Sequence, residues 1–174
     1  MRYNNKRGAQ VIEEWPKRLP LNKVDKLLIV VMAVFLIVPL IRIAMIYGSL
    51  PDIIPTHFGV SGEVDGYGGK WTLWMLWGVS LLCCALMVVS ELFPRWINVP
   101  VFLLKRPAEE IIRGSRLMIN VMGVLIAGFF WYIAEVTIAI AGGSAVAMSG
   151  AVTIGFVVVL ILVTLIYFLW LWRA

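Results

Sequence analysis

Apolar positions gather into four long blocks, at 27–47, 71–93, 117–141 and 151–172, and charged residues fall almost wholly between them. A helix needs about 20 predominantly apolar residues to cross the hydrocarbon core, and each block supplies that length. The pattern predicts an all-α integral membrane protein of four transmembrane helices. It divides the chain into a tail at 1–26, a helical hairpin at 27–93 around a loop at 48–70, a polar loop at 94–116, and a second helical hairpin at 117–174. Within the first block lies Pro39, tolerable in a membrane helix where neighbouring groups satisfy the freed carbonyl. The second block opens on Trp71, Trp74 and Trp77, as an interfacial aromatic belt does, and closes near Glu91 and Arg95, an i,i+4 pair in the favoured order.

The ends of the third element carry their own signals. Residues 94–106 are too short and too proline-broken to span, so they are expected to lie along the interface. Pro107 suits the first position of the helix that follows, with Glu109 and Glu110 in its first turn, so that helix begins about two turns before the membrane. Gly123 with Ala127, and Ala151 with Gly155, have the spacing that lets helices approach closely. Trp15 and Pro16 are expected to rest at the interface.

Composition and charge then orient the helices. The chain is 61% hydrophobic and only 14% charged, far from the quarter charged that is usual in soluble domains. Of its 15 basic residues, seven lie in the tail, five in the 94–116 loop and one at the C-terminus. The positive-inside rule therefore places both termini in the cytoplasm and the 48–70 loop outside. Beside anionic lipid, the +5 net charge needs no nucleic-acid partner. The polar leader and the first apolar block are both too long for a cleaved signal peptide, so the first block reads as a retained anchor. Cys83 and Cys84 are adjacent within a span and read as small packing residues.

Besides Glu91 near the end of the second block, two charges lie inside the apolar blocks. Arg42 and Glu135 fall at nearly the same depth, roughly 8–9 Å below the outer boundary at the helical rise. A charge there is costly unless paired, hydrated or snorkelling, which points to an ion pair; the alternative has Arg42 snorkelling while Glu135 lines a wet cleft. The loop concentrates the remaining chemistry. Pro51 and Pro55 stiffen its start, and Gly59, Gly62, Gly66, Gly68 and Gly69 free the backbone of its second half. Between them stand His57, the only histidine, with Glu63 and Asp65 six and eight residues later, and then Lys70. Those three could ligate a metal or form an acid–base set, but the spacing is not one that helix geometry forces together. The simpler reading has the polar side chains bonding their own loop, with Asp65 capping the turn at Gly66 and Gly68. The ending GYGGKW is no phosphate loop, because Val64 and Trp71 stand where glycine and Ser/Thr are required. Lys70 reads as an interfacial residue snorkelling to headgroups. No motif calls for a cofactor.

The run Leu50, Pro51, Ile54, Pro55, His57, Gly62, Asp65, Gly68 and Lys70 resembles the LPxxIPxHxxxxGxxDxxGxK signature of the domain of unknown function numbered 1648. That domain forms the N-terminal part of SdpI-like bacterial immunity proteins. The resemblance covers about residues 27–93. It implies a multi-pass protein of the bacterial cytoplasmic membrane whose outer loop recognises a ligand such as a secreted peptide toxin. It also implies that the basic cytoplasmic loop meets a regulator. The reading is then a non-enzymatic protein whose rigid outer loop lacks regular structure. His57, Asp65, Lys70, Glu63, Pro55 and Gly62 would form the recognition surface, and Arg42 with Glu135 a polar floor beneath it. The alternatives are a metal-binding membrane enzyme built on His57, Glu63 and Asp65, and a small transporter or accessory subunit among other membrane subunits.

Overall fold

The structure is a computed structural model, which describes residues 15–16, 19–59, 61–93, 106–145 and 147–173. Four helices and one pair of strands follow in the order α1 (Lys23–Ile46), β1 (Ile53–Phe58), β2 (Val64–Gly69), α2 (Thr72–Leu92), α3 (Ala108–Ala141) and α4 (Gly150–Trp172). All four helices are long and apolar enough to cross a membrane. The chain is a multi-pass membrane protein.

Helix α1 starts earlier than the apolar block because Asn22 and Asp25 form a capping box. The Asn22 side chain accepts from the Asp25 N–H at 2.8 Å, and Asp25 returns the bond to the Asn22 N–H at 2.9 Å. Each bond satisfies a backbone donor that the helix itself cannot. At Pro39 the missing N–H loosens the carbonyls one turn back, and the Trp77 indole of α2 donates to the carbonyl of Leu36 at 2.9 Å. Helix α3 begins at Ala108, with Pro107 as its N-cap rather than its first residue. At 34 residues it is roughly 50 Å long, well beyond the hydrocarbon thickness, and it forms the spine on which α1, α2 and α4 pack.

The α1–α2–α3 crossing is tight. Met32, Cys84 and Ala127 form a buried cluster there, and a side chain on Gly123 would strike the Met32 thioether. Cys83 and Cys84 are both free thiols. The second small pair behaves otherwise: nothing lies within 4 Å of where a Gly155 side chain would stand. Helix α4 rests on α3 by larger groups, including a flat stack of Phe129 on Phe156 with centroids 4.0 Å apart. At the far end Arg106 closes α4, donating from Nε and Nη2 to the Trp170 carbonyl at 3.2 and 3.1 Å. A guanidinium suits the negative pole of a helix C-terminus. Trp15 packs there against Ile111 and Leu171.

Two expectations change. The 48–70 segment is not an irregular loop: β1 and β2 pair antiparallel, so the all-α description gains a two-stranded hairpin. Glu91, expected as the i,i+4 partner of Arg95, does not stand at a solvated helix end. It is fully buried and accepts from Asn120 Nδ2 at 3.1 Å, because its turn of α2 faces α3. Arg95 and the rest of the expected interfacial segment up to residue 105 lie outside the described residues.

Candidate functional site

The strands form where the sequence alternates pins and polar groups. Leu50 and Ile54 point into the bundle and are buried with Ile43, Leu73, Ala134 and Ile138, while Ile53 and His57 are exposed. Those two pins seat the hairpin on the helix ends. At its base Lys70 turns inward. Its ammonium donates to the Leu50 carbonyl at 3.2 Å, pairs with Asp52 at 3.1 Å and lies over the Tyr47 ring at 5.3 Å. Lys70 therefore ties the two hairpin ends together instead of reaching for headgroups. Asp52, its partner, is a residue that sequence reasoning passed over.

At the tip, Gly62 adopts φ +91°, a left-handed conformation that side chains disfavour. Its carbonyl accepts from the Met148 N–H at 2.8 Å, and a Cβ at this position would collide with the Met148 carbonyl. The connection between α3 and α4 thus clasps the hairpin tip backbone to backbone. The Ser149 N–H donates to the Tyr132 hydroxyl at 3.0 Å, holding that connection to α3. Nothing in the uncharged AGGSAVAMSG segment advertised this clasp.

His57 sits at a register shift in β1, opposite Gly66. A Cβ on Gly66 would come within 2.8 Å of the His57 Cβ, so glycine is what lets the imidazole lie across the strand. His57 Nδ1 and Asp65 Oδ1 are 2.5 Å apart, and the side chains remain 74% and 44% exposed. Asp65 therefore orients the imidazole instead of capping a turn. Glu63 is turned elsewhere: Ser61 donates to its carboxylate, which holds that fully exposed group below the usual carboxylate range. The three residues do not converge, and among the described residues no group of three or more His, Cys, Asp or Glu is placed to hold a metal ion.

Beneath the hairpin a cleft of about 340 Å³ opens between β1, α2, α3 and α4. Its walls include Pro55, His57, Leu76, Phe129, Thr137 and Met148, and are mostly apolar. Arg42 and Glu135 are not among them. Arg42 Nε lies 3.6 Å from Glu135 Oε2, and the Trp131 indole donates to Glu135 Oε1 at 3.2 Å, so the two charges and an indole meet on the α1–α3 side. Glu135 is two residues from both Ile133 and Thr137, a turn of roughly 200° around the helix. It therefore points away from the cleft that those neighbours line, and the pair does not floor that cleft.

Comparison with known proteins now places this segment. Residues 34–81 match the family model described as Domain of unknown function (DUF1648). Over those residues the chain is similar to that family. The matched region takes in the second half of α1, the whole hairpin and the start of α2, so it contains the Lys70 tie, Gly62 and the His57–Asp65 pair, but not Glu135 or Met148. A 64-residue stretch is 34% identical to an uncharacterized protein of Archaeoglobus fulgidus, covering 32% of this chain and 35% of that protein. The match thus spans about a third of the relative's length. No solved structure matches the chain.

Proposed function

We propose that this is a non-enzymatic DUF1648 membrane protein of SdpI-like type, whose hairpin recognises an extracytoplasmic ligand. In this reading both termini are cytoplasmic, the hairpin lies outside, and the membrane is the bacterial cytoplasmic membrane. The observation that carries it is the cleft of about 340 Å³ under the hairpin, with an apolar wall and a histidine held at its rim. Binding sites of small ligands have such volumes, with few polar groups fixing orientation. An apolar side chain of a secreted peptide suits the wall, and the His57–Asp65 pair suits a backbone or acidic group beside it. The basic 94–116 segment would meet a cytoplasmic regulator, so immunity or signalling is the role. The orientation is supported by the sequence positions of 13 of the 15 basic residues, in the 1–26 tail, the 94–116 segment and the C-terminus.

The test is survival. Toxin-sensitive bacteria expressing the protein are challenged with secreted antibacterial peptides, alongside Thr137→Trp, which fills the cleft, and His57→Ala. Protection is expected from the wild type and not from either variant. Equal killing with and without the wild-type protein, across a panel of peptides, would remove the immunity reading.

A further inference from the structure

Away from the hairpin, where α1 and α3 begin and α2 ends, polar side chains from three helices are shut off from solvent. Asp25 of α1 and Arg116 of α3 are each 1% exposed, and Glu91 of α2 and Asn120 of α3 are 0% exposed. Asn120 Nδ2 donates to Glu91 Oε2 at 3.1 Å. Arg116 donates from Nη2 to the Glu91 carbonyl at 2.7 Å and from Nη1 to the Pro20 carbonyl at 3.3 Å. The charges of Asp25 and Arg116 both act on Glu91, and Arg113 acts on Arg116 in turn. Among the described residues, those are the charged groups acting on Glu91 and Arg116.

Among the described residues, each of the four retains a buried polar atom without a partner: Asp25 Oδ1, Glu91 Oε1, Asn120 Oδ1 and Arg116 Nε. Buried polar atoms are paired in the great majority of cases, so four together call for an explanation. By chemistry they are three acceptors and one donor. Arg113 is partly exposed and paired with Glu109 at 2.8 Å, so with every group ionised the four buried side chains set two carboxylates against one guanidinium, an excess negative charge within the buried set. One proton on either carboxylate removes that excess. It also converts an orphan acceptor into a donor, leaving two of each. A metal ion is the poorer occupant, because only two carboxylates are present and the guanidinium repels it. A groove of about 630 Å³ between α1, α3 and α4, lined at its polar end by Asn22, Asp25, Glu110 and Arg113, supplies the way in.

We propose that Asp25, Glu91, Asn120 and Arg116 form a binding site for one exchangeable proton at the junction of α1, α2 and α3. Infrared spectroscopy of the purified protein in detergent tests it. At pH 7 the wild type is expected to show the carbonyl stretch of a protonated carboxyl group, and either Glu91→Gln or Asp25→Asn to remove it. Replacing choline chloride by sodium chloride is expected to leave the band unchanged. Absence of the band in the wild type, its persistence in both variants, or its loss on adding sodium overturns the proposal. Asp25→Asn serves as the second variant where Glu91→Gln does not fold, and the sodium comparison needs the wild type alone.

Discussion

At the hairpin end, His57, Glu63 and Asp65 stand largely in water and bond to one another or to a neighbouring serine. At the opposite end, Asp25, Glu91, Arg116 and Asn120 are sealed between three helices, each with an atom unpaired among the described residues. Both regions are polar islands in an apolar chain, but their energetics differ. The exposed groups forfeit little hydration, so their arrangement is free to serve recognition. The buried groups lose their water, and their mutual geometry then decides how the helices meet. Shape is fixed at the hairpin end by backbone conformation, and at the other end by electrostatics.

That contrast can be broken in order of size. Gly62→Val puts a branched side chain at a left-handed φ and into the Met148 carbonyl. It is expected to lower stability by about 3 kcal/mol, read as thermal unfolding in detergent, whereas Gly155→Val, at an open position, should leave it nearly unchanged. A loss of similar size at both sites would mean that the clasp is not what fixes the hairpin.

The Arg42–Glu135 contact tests an intermediate case, since both side chains are partly exposed, at 49% and 38%. A double-mutant cycle with Arg42→Gln and Glu135→Gln should give a coupling of about 1 kcal/mol. Zero coupling would leave the two charges as neighbours without mutual stabilisation.

His57→Ala should change stability by less than about 0.5 kcal/mol while abolishing ligand protection. A large stability loss would turn the exposed dyad into a structural element and erase the distinction between the ends.

The smallest effect is acid-linked. Glu63 is held below the ordinary carboxylate value of 4.5, first by Ser61. A carboxylate depressed in the fold contributes its stability above the unfolded value and loses it as pH falls through the folded value. Ser61→Ala should therefore raise the Glu63 titration midpoint measured by NMR, with Glu63 ionised near neutral pH in both proteins. A midpoint unmoved by the substitution would leave the serine without that role.

The four helices were legible because twenty apolar residues in a row have few alternatives to a membrane span. The hairpin's importance was legible from Pro51, Pro55 and the glycines, but its strands were not, since so many glycines and prolines depress strand propensity. What forms the strands is the seating of Leu50 and Ile54 in the helix ends, a tertiary effect. The Gly62–Met148 clasp joins backbones far apart in the chain, and backbone bonds leave no residue-type signature. Glu91 and Arg116 looked like ordinary boundary charges, because burial depends on which face of α2 meets α3. The capping box was the exception: Asn22 followed by Asp25 could have been read directly.

The account stands on the hairpin end meeting the outside while the buried cluster lies toward the cytoplasm. In a Cys83→Ala/Cys84→Ala background, Glu63→Cys and Glu109→Cys are exposed separately to a membrane-impermeant maleimide in intact cells. Labelling of position 63 at once, and of position 109 only after permeabilisation, is the result expected; the reverse pattern would contradict the account.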